Sequence, residues 1–202
     1  MKLDKSFYRR DTIQVAKDLL GKKLVHNSNG KLLSGIIVET EAYRGLIDKA
    51  AHSYGGRKTE RTKVMFEPGG VSYIYFIYGL YYCFNVVATE KDIPEAVLVR
   101  AIEPMEGIDE MSLLRYKKPL RELNKTQLKA IGNGPAKLCN ALKLDKSLNG
   151  VDLTGDTLYI EDIGYEDFQI IETTRVGIDY AEEAKDFLWR FYIKDNKYIS
   201  KK

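Results

Sequence analysis

The stretch Val71-Ser72-Tyr73-Ile74-Tyr75-Phe76-Ile77-Tyr78-Gly79-Leu80-Tyr81-Tyr82-Cys83-Phe84-Asn85-Val86-Val87-Ala88 decides how this chain folds. It is dense in tyrosine, phenylalanine and β-branched residues, which pack well on a pleated surface. Gly79 interrupts it where a tight turn demands a positive φ. The run therefore reads as two strands, Val71–Tyr78 and Tyr81–Ala88, joined in a hairpin. Ser72, Gly79 and Asn85 break its apolar character and argue against a membrane helix. Tyr78 falls at or beside the tip, where a ring is either a wedge or a binding anchor. Tyr73, Tyr81 and Tyr82 fit a sheet that simply uses tyrosine. Asn85 lies among Cys, Phe and Val, so its amide needs hydrogen-bond partners if buried. A two-residue turn at Gly79-Leu80 would pair Tyr75 with Phe84 and put Tyr75 and Asn85 on opposite faces. Only a three-residue loop or a bulge brings both to one side.

Outward from this hairpin, Ala96–Ile102 continues the β-rich centre. Upstream, Asp11 followed by Gln14 resembles a capping box, and Ile13, Ala16 and Leu20 recur at helical spacing, with Gly21 placed for a left-handed stop. Lys23–His26 and Leu32–Thr40 flank Ser28-Asn29-Gly30, a hairpin signal. Tyr43–Pro68 has no clear period and reads as a long loop with one short helix, the kind of segment that often carries function. Downstream, Pro104–Arg115, Lys125–Ile131 and Pro135–Leu142 read as helices, and Leu158–Glu161 and Gln169–Thr173 as short strands. Strands grouped in the middle with helices around them predict an α+β fold. No repeat or linker divides the 202 residues, so a single domain over 1–202 is expected.

The composition is that of a soluble globular protein, 44% hydrophobic and 30% charged. Its start, Met1-Lys2-Leu3-Asp4-Lys5, lacks the apolar core of a signal peptide, and Cys83 and Cys139 give neither a disulfide framework nor metal-type spacing. The expectation is a cytoplasmic chain with reduced thiols and no membrane segment. The net charge of +3 names no partner, but it is unevenly spread. Between Ser112 and Leu144 eight lysines and arginines face Glu122 alone, whereas between Val151 and Glu183 acids dominate and Arg175 is the one base. A basic face can hold a polyanion at low total charge, and solvated helix faces give the same pattern.

Four places could carry chemistry. In Val38-Glu39-Thr40-Glu41-Ala42-Tyr43 two carboxylates at i and i+2 share one strand face, so a strand buries both or exposes both. Burying both is costly. The strand is therefore expected to end here, with one carboxylate lining a cleft as a general base or facing water as an ordinary strand-end acid. His52, one of two histidines, is a pocket wall, a proton partner or a satisfied loop residue. Arg100, between Leu98-Val99 and Ala101-Ile102, needs an acidic partner if buried, for which Glu39 and Glu41 are candidates; otherwise it faces out from an edge strand. Gly132-Asn133-Gly134-Pro135 marks a helix start that could touch phosphate.

Taken in order, Glu39–Tyr43, Ala50-Ala51-His52-Ser53, Gly55-Gly56-Arg57, Met65-Phe66, the Tyr75–Asn85 hairpin and Leu98–Ala101 resemble the alkyladenine (3-methyladenine) DNA glycosylase family. Glu103–Gly107, Gly134–Cys139, Arg175–Ile178 and Trp189–Tyr192 share the resemblance, which extends from about Phe7 to Ile199. It implies an α+β fold with a central mixed or antiparallel curved sheet and a protruding hairpin, similar to the C-terminal domain of formyltransferases. It implies base flipping from double-stranded DNA containing damaged purines, followed by hydrolysis of the N-glycosidic bond without metal or organic cofactor.

By the same resemblance Glu41 is the base that activates water, and Arg100 helps hold that water. Tyr43, His52 and Tyr75 are walls for the flipped base, Asn85 disfavours the exocyclic amine of guanine, and Tyr78 fills the gap left in the duplex. Glu39 has no catalytic counterpart. A monofunctional enzyme acting as a monomer is the resulting expectation, because nothing marks a lysine as a Schiff-base nucleophile. Two rival readings are a nucleic-acid-binding domain without activity, which leaves Glu41 and Arg100 idle, and a hydrolase of small glycosides, which leaves Tyr78 idle.

Overall fold

The spine of the molecule is a long strand, β2 (Lys31–Arg44), in a computed structural model that describes residues 1–77 and 79–201. The remaining strands are β1 (Lys23–Ser28), β3 (Ser72–Ile77), β4 (Tyr81–Ala88), β5 (Glu95–Glu106), β6 (Leu158–Glu161), β7 (Ile170–Thr173) and β8 (Arg190–Ile193). They form one sheet in the order β3-β4-β5-β2-β1-β6. One edge of β2 pairs with β5; the other pairs first with β1 and then with β8, which carries β7. Every pair is antiparallel, so the α+β expectation holds with an antiparallel sheet.

Local signals explain most of the boundaries. Asp11 caps α2 (Thr12–Asp18) by accepting the N–H groups of Ile13 and Gln14. The Gln14 side chain turns to Asp18 at 2.7 Å, so the reciprocal half of the capping box is not made. Gly21 has φ 79°, as a left-handed stop requires, and Asn29 and Gly30, both at positive φ, turn β1 into β2. Short helices α1 (Lys5–Tyr8), α3 (Ile108–Tyr116), α4 (Lys125–Lys129) and α5 (Pro135–Ala141) complete the set. The helix expected from Pro104 starts at Ile108 instead. β5 runs on to Glu106, with Pro104 opposite Gly35 at an irregular step where its missing N–H is tolerated, and Gly107 at φ 74° breaks the strand.

The central hairpin resolves the register question. Ile77 pairs with Tyr81, Tyr75 with Cys83 and Tyr73 with Asn85, so residues 78–80 lie between the strands. This register places Tyr73, Tyr75, Cys83 and Asn85 on one face and excludes the pairing of Tyr75 with Phe84. Tyr78, expected as the duplex wedge, lies outside the described residues.

The alternation of β3, β4 and β5 splits the sheet into two unlike faces. Ile74, Phe84, Val86, Val97 and Val99 join the main core with Val15, Ala16 and Leu19 of α2, Met111 of α3 and Leu138 and Cys139 of α5. The opposite residues, Tyr73, Val87 and Ala96, pack with Met65 from the irregular 45–71 segment, where Tyr75 is partly buried beside them. One face thus anchors the fold and the other is free to build a site. Phe84, fully buried in the main core, makes this testable. Phe84→Ala should lower unfolding free energy by about 3–5 kcal/mol in denaturant titrations, as expected for a large aromatic removed from a packed core. A change under about 1 kcal/mol would contradict the packing described.

Candidate active site

β2 does not end between its two glutamates: it continues to Arg44, and Glu39 and Glu41 are both fully buried. Two buried carboxylates on one face survive only if cations and N–H groups replace the lost water. Arg100 supplies both: Nε meets Glu39 Oε1 at 3.0 Å and Nη1 meets Glu41 Oε1 at 3.2 Å. Arg190 of β8 reaches Glu39 Oε1 at 2.9 Å. Two acids and two arginines therefore balance in formal charge. Burial alone would lower the pKa of Arg100, but the carboxylates of Glu41 and Glu39 more than offset it and hold the guanidinium firmly charged.

A paired irregularity aims Arg100. Ile37 faces Ile102 and Glu39 faces Ala101, so β2 carries an extra residue at Val38; Thr40 then faces Val99, so β5 carries an extra residue at Arg100. Bulges of this kind re-aim a side chain without losing the ladder beyond. Here two in succession restore the register and turn Arg100 into the acidic pair.

The two carboxylates are not equivalent. Glu39 accepts Arg100 Nε, Arg190 Nη1 and the Ser200 hydroxyl at Oε1, and the Ser200 N–H at Oε2. Three of those donors crowd Oε1 and one meets Oε2, and of the residues that supply them only Arg100 lines an aromatic cavity. Glu41 has three partners: Val176 N–H at 2.8 Å, Arg100, and the Tyr43 hydroxyl at 2.8 Å on Oε2. One site of Glu41 remains for a further donor such as water. Its three partners, Arg100, Tyr43 and Val176, all line that cavity, and Glu41 itself lies just behind that lining.

That cavity measures about 330 Å³ and brings together Tyr43, His52, Tyr75, Asn85 and Arg100. Its walls also include Tyr73, Cys83 and Met65, which the sequence did not single out as site residues, and Pro135 and Ala136 from the Gly-Pro helix start. Asn85 donates to the Tyr73 carbonyl at 3.0 Å, as a buried amide should. The ring of His52 meets that of Tyr75 edge-on, 4.6 Å between centroids. Burial raises the pKa values of Tyr43, Tyr73 and Tyr75, so these walls stay phenolic, and it raises that of the Cys83 thiol likewise.

Arg175, the one base of the acidic stretch, is also buried. It pairs with Asp48, donates to the carbonyls of Ala42 and Ala184, and sets its guanidinium 4.7 Å from the Tyr43 ring centroid. Its neighbour Val176 presents the N–H that holds Glu41. A lone arginine among acids is the signal that could have flagged it. Nothing in the sequence pattern pointed to Asp48 or Ser200.

A carboxylate held by three residues of an aromatic cavity, one of them an arginine, suits hydrolysis of a glycosidic bond. Comparison with known proteins gives the class its substrate. Residues 6–197 match the family model described as methylpurine-DNA glycosylase. The chain is 62% identical to a protein of Clostridium acetobutylicum over 99% of this chain and 98% of the relative. It is 56% identical to one of Clostridium perfringens over the full length of both, and 54% to one of Desulfitobacterium hafniense over 100% of this chain and 99% of the relative. All three carry the name "Putative 3-methyladenine DNA glycosylase". The chain belongs to the methylpurine-DNA glycosylase family: it is a DNA-repair enzyme that hydrolyses N-glycosyl bonds, and DNA is its substrate. Among the described residues no helix is long and apolar enough to cross a membrane.

His52 gives this site a measurable signature. Desolvation, aided by the positive charge of Arg61, lowers its pKa to about 4. Arg61 can only donate, at 3.2 Å, to Nε2, which leaves the neutral ring's proton on Nδ1, facing the Tyr73 oxygen at 3.0 Å. In the unfolded chain the same histidine takes its proton from about 6.5 downward. Its contribution to stability is therefore complete above pH 6.5 and is lost as pH falls from there towards 4. NMR titration of the imidazole should give a midpoint near 4 in the folded protein; a midpoint at or above the ordinary histidine value of 6.5 would contradict the environment described.

Proposed function

We propose that this enzyme flips an alkylated or deaminated purine from duplex DNA into the Tyr43–His52–Tyr75 cavity and cleaves its N-glycosidic bond with a water activated by Glu41. The observation that carries this reading is which acid meets the cavity: all three residues that hold Glu41 (Arg100, Tyr43 and Val176) line it, whereas of those that hold Glu39 only Arg100 does. Cleavage passes through an oxocarbenium-like sugar, so a carboxylate beneath the ring both takes the water's proton and offsets the growing charge. Arg100, shared between the acids, orients that water rather than neutralising Glu41 outright.

The walls suit the same chemistry. Alkylation at N3 or N7 makes a purine cationic and a good leaving group, so a single carboxylate suffices. Phenolic rings and an uncharged His52 accept such a cation without repulsion, each good ring contact adding about 0.5–2 kcal/mol. Damaged or mispaired bases are also easier to extrude, which selects for them before chemistry begins. The substrate class is 3-methyladenine and 7-methylguanine, extending to hypoxanthine and ethenoadenine. Asn85, a cavity residue held by the Tyr73 carbonyl, disfavours the exocyclic amine of guanine by its bulk. Tyr78 fills the gap in the duplex. The enzyme works as a cytoplasmic monomer and leaves an intact abasic site, with no lyase step and no cofactor.

The test is free-base release from duplex oligonucleotides carrying each of the four lesions. Wild type should release base from at least the cationic lesions. Glu41→Gln should lose about 10²–10⁴-fold, the range of a general base, while still binding the duplex. Tyr78→Ser should weaken release from duplexes. Undiminished release by Glu41→Gln would reject Glu41 as the base.

A further inference from the structure

The proposed chemistry leaves Glu39 unexplained: a fully buried carboxylate, with donors on both oxygens, two residues before the proposed base. Its four donors come from three separate parts of the chain. Arg100 lies in the β5 bulge, Arg190 starts β8, and Ser200 belongs to the segment that follows β8. That segment is folded back on the network at several points. The Ser200 hydroxyl also accepts Arg100 Nη2 at 3.1 Å, the Lys201 carbonyl accepts Arg190 Nη1 at 2.8 Å, and Asn196 donates to Glu103 at 3.0 Å. Arg100 is thereby gripped at Nε and Nη2 from behind, leaving Nη1 for Glu41 and the cavity.

We propose that Glu39, with Ser200 folded against it, is a positioning residue that aims Arg100 at Glu41 and holds the charge balance in which Glu41 works. The proposal rests on Glu41 being the base. A guanidinium has little tolerance for rotation when three of its nitrogens are assigned: freeing Nε or Nη2 lets the plane swing and moves Nη1 off the water that it orients. Misplacement of a catalytic group by about 1 Å costs on the order of 10²-fold in rate. Glu39 also sets the field at Glu41. The groups around Glu41 are Arg100 of β5, Tyr43 and Glu39 of its own strand, Arg190 opposite it in β8 and Cys83 of β4, while Arg175, paired to Asp48, packs on the Tyr43 ring. Removing the Glu39 charge leaves Arg100 and Arg190 with Glu41 as the one remaining acid of that four-residue network.

The experiment is single-turnover base release from a duplex bearing the best-released lesion, measured across pH for wild type, Glu39→Gln, Ser200→Ala and Ser200→Pro, with duplex affinity and thermal melting measured alongside. Ser200→Pro removes both the N–H and the hydroxyl donors, and Ser200→Ala only the hydroxyl. Glu39→Gln should lower the rate constant by about 10- to 100-fold with duplex affinity unchanged. The acid limb of its pH–rate profile should also move to lower pH, the direction set by losing a like charge beside the site. Ser200→Pro should lower the rate more than Ser200→Ala, neither moving the acid limb. If Glu39→Gln does not fold, the graded loss across the two Ser200 variants carries the same decision. Folded variants with wild-type rates and an unmoved limb would overturn the proposal, reducing Glu39 to a structural ion pair. Full activity of Glu41→Gln in parallel would instead sink the reading of Glu41 itself, so the two failures are distinguishable.

Discussion

Two carboxylates buried on one face of one strand constrain everything around them. Glu39 and Glu41 cannot both lose water unless equal positive charge is delivered to the same few ångströms. Arg100 comes from a bulge in β5, Arg190 from β8, and the remaining hydrogen bonds from Val176, Tyr43 and Ser200. These donors lie far apart in sequence and meet only when β2 is paired on both edges. The sheet order, with β5 on one side of β2 and β8 on the other, is what makes this convergence geometrically available. Removing one partner would leave an uncompensated buried charge, so the network ties the stability of the centre to the readiness of the site.

The division of labour between the sheet's faces follows from strand alternation. Main-core residues such as Phe84 and Val97 alternate with cavity residues such as Asn85 and Leu98, so one set of strands supports both packing and recognition. Chemistry-bearing side chains thus stand on rigid strands, and the irregular segment after Arg44 contributes His52 and Met65 as walls. The second buried pair, Asp48 with Arg175, stiffens this outer wall: it stands behind the Tyr43 ring and next to the N–H that holds Glu41. The cavity walls and the carboxylate behind them share their supports.

Much of this was legible in the sequence, and the gaps have physical reasons. Tyrosine-rich alternation around Gly79 gives the hairpin, and the i, i+2 glutamates with an arginine in an apolar strand give the heart of the site. The count of loop residues was not legible, because two- and three-residue loops both accept glycine; the register of Tyr73 with Asn85 settles it. Pro104 looked like a helix start because it fits a helix's first turn as well as a strand irregularity. The error about Glu39 and Glu41 came from treating burial as a penalty on each acid alone. A compensating cation from β8 and donors from Ser200 are long-range facts, invisible to any local pattern. Arg175 was visible as an isolated base, but its partner Asp48 was not.

The most direct measurement is the structure of Glu41→Gln bound to a duplex carrying one of the lesions it fails to process. The account predicts the damaged base inside the Tyr43–His52–Tyr75 cavity, and a water within hydrogen-bond distance of both residue 41 and Arg100, on the sugar's side of the glycosidic bond. A base bound elsewhere, or a sugar whose reacting carbon lies out of reach of any water held by those two residues, would contradict it.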